Sequence, residues 1–472
     1  MPDQSELAFN QRDLGHGASE TVMHPAVLVA LALTCVLVLW LPRKHATIPL
    51  FLIAFLVPRG QQIYLVGQHW YVLSIVILIG SVRLARAKFQ IAGGMNSIDK
   101  AFILWALYRV VAIVLTHGLQ SSGSEEAKFW IMAFGGYFLL RHLIQDEEDI
   151  ARAAKSFAVV AVVLGACMLN ERLSGVNIFG HLGGAPMFPD IRNGKVRAQA
   201  TFGHSILAGC FGATLVPLFF WLWKSGKARA LAGAGLAGST IMVLMSNSST
   251  PALSWAAGVG GLFLWPIRRS MRAVRWGIVL TLVALAMVMK APVWFIVAHV
   301  NVIGGSGGYD RAFLIDTFMR HWKDWWLIGT NQNGNWGYDM WDLSNQFVAE
   351  GEMGGLVTFV CFIAIISRSF GRLGSLRRLV DRKQEWLLWS LGAVMLAHIF
   401  AYFGVAYWDN TQIWWFAFLA MISAATASLG NTPADSKVAH TKVAPVLEPL
   451  DAWLLDRAHA GPSAVGTLES VS

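Results

Sequence analysis

The sequence predicts an all-α fold: a polytopic helical membrane protein of about 12–13 transmembrane helices, with a long helical outer loop between the last spans. Three observations predict it. Only 14% of the 472 residues are charged and 55% are hydrophobic, whereas a soluble domain carries about 25% charged residues. Mean hydropathy is +0.52. Apolar runs of roughly 17 to 23 residues recur along most of the chain, and one span needs about 20. Helices satisfy their own backbone groups where lipid cannot.

Residues 1–25 form a polar N-terminal segment without the basic start and apolar core of a cleaved signal peptide. The membrane domain is expected over 26–428, with spans at 26–42, 46–58, 70–87, 100–117, 127–143, 153–171, 203–223, 230–246, 250–266, 275–291, 344–367, 385–403 and 408–428. The second is short enough to be half of a re-entrant pair with the first, which would lower the count to about twelve and place the N-terminus in the cytoplasm. The loops at 43–47, 83–99, 141–155, 224–229, 266–275 and 367–385 hold 21 basic residues, more than twice the number in the longer alternate loops. The positive-inside rule makes the first set cytoplasmic. It leaves 172–202 and 292–343 outside, the first rich in Gly and Pro and read as loop with short strands. The tail 429–472, rich in Ala, Pro, Ser and Thr, is expected to be disordered in the cytoplasm, with a short helix possible at Trp453–Leu455.

The net charge of +9 is accounted for by the short loops, so no nucleic-acid partner is expected. Cys35, Cys167, Cys210 and Cys361 all fall in apolar runs without disulfide or zinc spacing and read as small core residues. His181 and His398 have no ligand-spaced partners, and neither a metal nor a cofactor is expected.

Charge, tryptophan and glycine concentrate in Tyr309–Gly355. Stepped at 100° per residue, a helix over 310–326 puts Arg311, Ile315, Phe318, Trp322 and Trp326 on one side and Asp316, Arg320, Lys323 and Asp324 on the other. The second face reads as solvated surface, with Asp316 and Arg320 spaced for an i,i+4 ion pair. Arg311 lies on the apolar stripe near the helix start, where dipole and burial both disfavour a cation. It calls for an opposing anion, either an internal carboxylate or a phosphate gripped by the planar guanidinium. The tryptophans serve either as interfacial anchors or as platforms for sugar faces. Arg109 sits inside a span and is paired either within the bundle or with a lipid phosphate. His204, at the start of the seventh span, is placed either to cap the helix or to assist an anion there. Glu171 and Arg172 read as an interfacial ion pair.

Three segments resemble the bacterial O-antigen ligase and O-antigen polymerase superfamily of GT-C-type membrane glycosyltransferases. They are Arg197-Ala-Gln-Ala-Thr-Phe-Gly-His-Ser-Ile-Leu-Ala-Gly209, Arg311 followed by Trp326-Leu-Ile-Gly329, and Ser344-Asn-Gln-Phe-Val-Ala-Glu-Gly-Glu-Met-Gly-Gly355. The resemblance implies an inner-membrane enzyme of surface-polysaccharide biosynthesis. Its donor would be a glycan on undecaprenyl diphosphate presented at the periplasmic face. A glycan or lipid hydroxyl would attack the anomeric carbon with inversion, without a metal. The other partners implied are membrane lipids and further polysaccharide-assembly proteins. Arg197 and Arg311 match the family's diphosphate-holding arginines, and two guanidinium groups suit a diphosphate leaving group. Ser344 stands where the ligases carry a histidine, and a hydroxyl is no general base near neutrality. The candidate substitutes are Asp342 and Glu350, then Asp339 and His321. This departure favours a polymerase-like role over ligation to lipid A-core or protein. A transporter of lipid-linked glycans is the rival of another class, and a non-catalytic scaffold is a third.

Overall fold

The computed structural model describes residues 21–65, 67–86, 90–118, 128–299, 307–337, 340, 343–408 and 410–430. Asp339, Asp342, most of the polar N-terminal segment and the tail from 431 lie outside the described residues.

The chain is predominantly helical. In order it forms α1 (Pro25–Trp40), α2 (Thr47–Leu56), the hairpin β1–β2 (Gln62–Leu65, Gln68–Tyr71), α3 (Val72–Arg86) and α4 (Ser97–His117). A π-helical stretch (Ile131–Gly136) leads into α5 (Tyr137–Leu143), followed by α6 (Glu147–Ser174) and a second hairpin, β3–β4 (Asp190–Arg192, Lys195–Arg197). Then come α7 (Ser205–Ser225), α8 (Arg229–Met245), α9 (Ser249–Phe263) and α10 (Met271–Val288). The remainder is α11 (Ile296–His299), α12 (Gly308–Arg320), α13 (Trp322–Trp325), α14 (Gln346–Leu376), α15 (Arg382–Tyr402) and α16 (Asn410–Ala425). Among the described residues, five helical segments are long and apolar enough to cross a membrane: Glu147–Ser174, Ser205–Ser225, Trp265–Val288, Gln346–Leu376 and Arg382–Tyr402.

The core centres on α7, which packs along α8, α9 and α15. Small residues set how closely helices approach. A Cβ on Gly165 of α6 would meet the Gly238 carbonyl of α8 at 2.7 Å, and one on Gly212 of α7 would meet the Ser239 carbonyl at 2.7 Å. Backbone contact through small residues is the usual way helices associate without a hydrophobic driving force between them. Phe51, Phe55, Phe157 and Phe211 fill the space between α2, α6 and α7, with Phe51 and Phe157 stacked at 4.4 Å. At one end of the bundle Arg141 is fully buried and donates to both oxygens of Asp99 (2.9 and 3.0 Å), which also accepts from Tyr137 Oη (2.5 Å). By contrast α10 has no buried residue and is joined to the rest through turns at its two ends.

Two elements depart from the sequence expectation. The helix expected over 310–326 stops at His321: α12 ends at Arg320 and α13 is a single turn. The change of direction exposes Trp322 and Trp326 (50% and 44%) and turns Trp325 inward. Trp325 stacks on Phe318 at 4.0 Å and donates to the Phe318 carbonyl at 2.8 Å. Asp316 lies on the buried side rather than the solvated one. It accepts from Trp294 Nε1 (3.2 Å) and from Arg320 Nε (2.7 Å), so the expected ion pair forms around a buried carboxylate.

The second departure is in α14, which breaks at Gly354 and Gly355. Gly355 has φ 68°, and a Cβ there would meet the Leu327 carbonyl at 2.5 Å. The turn after α13 docks into this break. Leu356 N donates to the Trp326 carbonyl, and Thr330 N to the Glu352 carbonyl, both at 2.8 Å. Gly329, at φ 82°, lets the turn approach the Glu352 carbonyl. Two glycine-containing motifs far apart in sequence are thus the two halves of one backbone contact.

Candidate functional site

The segment from Arg197 to His204 is held from several directions. The C-terminal end of α6 supplies two of its anchors. Glu171 is fully buried and accepts the backbone N–H groups of Gln199 (3.1 and 3.2 Å) and Ala200 (2.9 Å). Arg172 donates to the Val196 carbonyl at 2.6 Å. The two neighbours thus reach to the 196–200 backbone rather than to one another. Asn177 Nδ2 donates to the Ala200 carbonyl (2.8 Å), Thr201 Oγ1 to the Phe55 carbonyl (2.7 Å), and Ala198 N to the Met245 carbonyl (3.1 Å). Ala200 takes φ 51°, an unusual conformation for a residue with a Cβ, and these bonds hold it there.

Arg197 ends strand β4 opposite Asp190. It is 5% exposed and donates Nη1 to Asp190 Oδ2 at 2.9 Å, while its Nε is buried without a hydrogen-bond partner among the described residues. His204 caps α7, accepting Ile206 N–H on Nδ1 at 3.1 Å, which leaves its remaining proton on Nε2. Burial lowers its pKa to about 4, and the charges of Arg197, Arg311 and Arg192 push in the same direction against Asp190. The imidazole is therefore neutral near pH 7.

Arg311 lies in the first turn of α12 and is mostly buried, its Nε also without a partner among the described residues. Burial lowers its pKa, Cys210 and Asp310 oppose the shift, and Arg192 and Arg197 add to it. Such a shift still leaves a cation. The charges of Arg197, Arg311 and Arg192 thus all act on His204, and those of Arg192 and Arg197 on Arg311. Three guanidinium groups against two carboxylates, Asp190 paired with Arg197 and Asp310 acting on Arg311, leave a net positive centre. Donors left unpaired at such a centre suit a multiply charged oxyanion. Sequence reasoning missed Arg192, whose place on the same short hairpin as Arg197 was its only clue, whereas Cys210 is fully buried core as expected.

Glu350 is elsewhere. It is fully buried in α14, its Oε2 accepting from Trp105 Nε1 and its Oε1 from Gln346 Nε2, both at 2.6 Å. Gln346 Oε1 in turn accepts Tyr407 N–H at 2.6 Å. Each carboxylate oxygen thus accepts one side-chain hydrogen bond, which fixes the orientation of the group. Asn345 caps α14, taking Phe347 N–H at 2.9 Å and Val348 N–H at 3.2 Å, which fixes Ser344 just outside the helix. His321 Nδ1 bonds to the Thr317 carbonyl at 2.9 Å and its ring stacks on Trp336 at 5.3 Å. Arg109 lies over the Phe129 ring at 4.1 Å. Asp342, the other candidate base, falls outside the described residues. Among the described residues no three His, Cys, Asp or Glu side chains cluster as a metal site.

No family model matches the chain, and no curated protein matches it.

Proposed function

We propose that the protein is a membrane glycosyltransferase that transfers or polymerises a glycan carried on undecaprenyl diphosphate, with its active face in the periplasm. The carrying observation is the joint action of Arg197 and Arg311 on neutral His204 in one net-positive centre, with the Nε groups of both arginines buried without partners among the described residues. A diphosphate leaving group gains negative charge as the glycosidic bond breaks, and donors fixed in advance stabilise that charge without reorganising. The five apolar helical segments suit a lipid-borne donor. The resemblance of the three motifs to the O-antigen polymerase and ligase superfamily points the same way, and Ser344 in place of the ligase histidine favours polymerisation.

The test has two arms. Arg311→Ala and Arg197→Ala are each expected to abolish surface glycan at unchanged protein level, and to weaken binding of undecaprenyl diphosphate to the protein in nanodiscs. Normal glycan in both variants would refute the reading. The break in α14 favours a transporter as the second reading, because transporters build sites on discontinuous helices. Deleting the gene separates the two: lipid-linked glycan accumulates in the outer leaflet if a transferase is lost, and in the inner leaflet if a flippase is lost.

A further inference from the structure

A small cavity adjoins the segment that carries His204. It lies where the end of α2, the start of α7 and the start of α16 meet, and Phe55, Arg59, Phe202, Gly203, Trp408 and Asn410 are among its walls. Its free volume is about 10 Å³, close to the room that one water molecule needs. The guanidinium of Arg59 lies over the Trp408 ring, 3.9 Å from its centroid. Both side chains meet Gly203, the residue before His204. A Cβ there would lie 2.5 Å from Trp408 Cη2 and 3.3 Å from Arg59 Nη1. The glycine therefore lets the indole close over the backbone.

The walls are fixed from several sides. Arg59 N donates to the Thr201 carbonyl at 3.3 Å, and Gly60 N to the Gly184 carbonyl at 2.9 Å. The Gln61 amide donates to the carbonyls of Leu182 (2.6 Å) and Gly183 (2.7 Å) and accepts His24 N–H at 2.9 Å. Trp408 N donates to Thr411 Oγ1 at 2.8 Å, and that hydroxyl donates back to the Trp408 carbonyl at 2.5 Å. Asn410 Nδ2 donates to the Ala54 carbonyl at 3.0 Å. Two polar atoms of the wall residues stay available within this framework. Among the described residues, nothing accepts from Trp408 Nε1 and nothing donates to Asn410 Oδ1. One is a donor and the other an acceptor, and a hydroxyl can use both.

Size selects the ligand. A phosphate group is too large for this space, whereas one sugar hydroxyl fits it. Aromatic and apolar walls with a few placed polar groups are the usual build of a small-molecule site. We propose that the cavity is a selectivity subsite for the sugar next to the diphosphate. It takes one hydroxyl of that sugar between Trp408 and Asn410, and Arg59 is a positioning residue that holds the indole. The proposal rests on the transferase reading, which puts the diphosphate at the arginine centre around His204. The carrier-linked sugar is bonded directly to that diphosphate, and the wall residues 201–203 run straight into His204.

Binding to the full-length protein in nanodiscs tests this. The probes are undecaprenyl diphosphate, bare or carrying glucose, galactose, N-acetylglucosamine or N-acetylgalactosamine. Wild type is expected to separate the tightest from the weakest of the sugar-bearing probes by at least about fivefold, the effect of one neutral hydrogen bond. Trp408→Phe keeps a ring beneath Arg59 and removes the N–H. It should bring the sugar-bearing probes within about twofold of one another and bind bare undecaprenyl diphosphate within about twofold of wild type. Asn410→Ala should do the same, and it carries the test if Trp408→Phe does not fold. Wild type that binds every sugar-bearing probe within twofold would overturn the assignment and leave a cavity for water alone. Selectivity that survives in both variants would also overturn it. So would an equal loss of affinity for bare and sugar-bearing probes, which would make the wall structural. Wild type that binds none of the probes, bare diphosphate included, would overturn the diphosphate reading and this assignment with it.

Discussion

Arg197 and Arg311 act on the same imidazole from two differently built supports. The Arg197 segment is pinned by Glu171, Asn177, Thr201 and the Met245 carbonyl, and its arginine already holds a carboxylate. Arg311 stands at the first turn of a 13-residue helix. That helix is docked near its far end, where Phe318 and Trp325 meet α14. One support fixes a donor in place before any ligand arrives. The other presents a cation, its Nε unpaired among the described residues, on a helix held by a small cluster of Leu314, Phe318, Trp325 and Val348 and by the Trp294–Asp316 hydrogen bond. Pre-organisation and adaptability are thus divided between the two halves of one site.

The comparison breaks most readily at Glu171. Glu171→Ala strands the buried amides of Gln199 and Ala200, at about 1–3 kcal/mol each. A loss of about 2–5 kcal/mol is expected in unfolding of the detergent-solubilised protein, together with a larger loss of lipid-diphosphate affinity than an Arg197 substitution causes alone.

His204 gives the next effect. Its folded pKa, about 4, lies below the roughly 6.5 of an unfolded histidine. The unfolded chain therefore takes up a proton first as pH falls. The contribution of up to about 3 kcal/mol is fully present above pH 6.5 and is lost between 6.5 and 4. Unfolding measured across that window should show the slope in wild type. It should flatten in His204→Asn, which keeps a side-chain cap for α7.

Gly355→Ala attacks the other support. Its φ of 68° and the Leu327 carbonyl leave no room for a Cβ, so at least about 2 kcal/mol is expected. Thermal unfolding would report it, with Arg311-dependent binding weakened and the Arg197 segment unaffected. Arg311→Lys is smaller, about 1–2 kcal/mol in binding of undecaprenyl diphosphate, because a single ammonium replaces the planar fork. Trp322→Ala, on the exposed side of the docked helix, should shift stability by less than about 0.5 kcal/mol. A large loss would mean that the second support is more rigid than its contacts imply.

How much was legible in the sequence follows from which forces act locally. Apolar runs marked helices because burial in lipid and helix formation impose the same composition over about 20 residues. Arg311 could be singled out because a cation on an apolar stripe is costly unless something answers it, His204 because it opens a helix, and Arg197 only through the resemblance of its segment to a known family. The phase of α12 was only half legible. Phe318 is buried as its position implied, but a stop at His321 reversed the tryptophans that follow, and no residue there announces a break as proline would. Glu171 was misread as the neighbour of Arg172 because its partners lie 28 and 29 residues away. Glu350 takes one bond from Gln346, four residues earlier, and the other from a tryptophan 245 residues distant. No local pattern encodes that.

Helix α10 has a consequence of a mechanical kind. With its leading turn it runs over 24 residues, and of these only Trp265, in the turn, is buried against protein. The helix proper has 18 residues and is about 27 Å long, close to a hydrocarbon layer of about 30 Å. With no buried residue of its own, its angle in a bilayer would follow the lipids rather than the bundle. The chain beyond it returns at once to α12, where Trp294 bonds to Asp316. Membrane thickness would therefore act as a lever on the helix that carries Arg311.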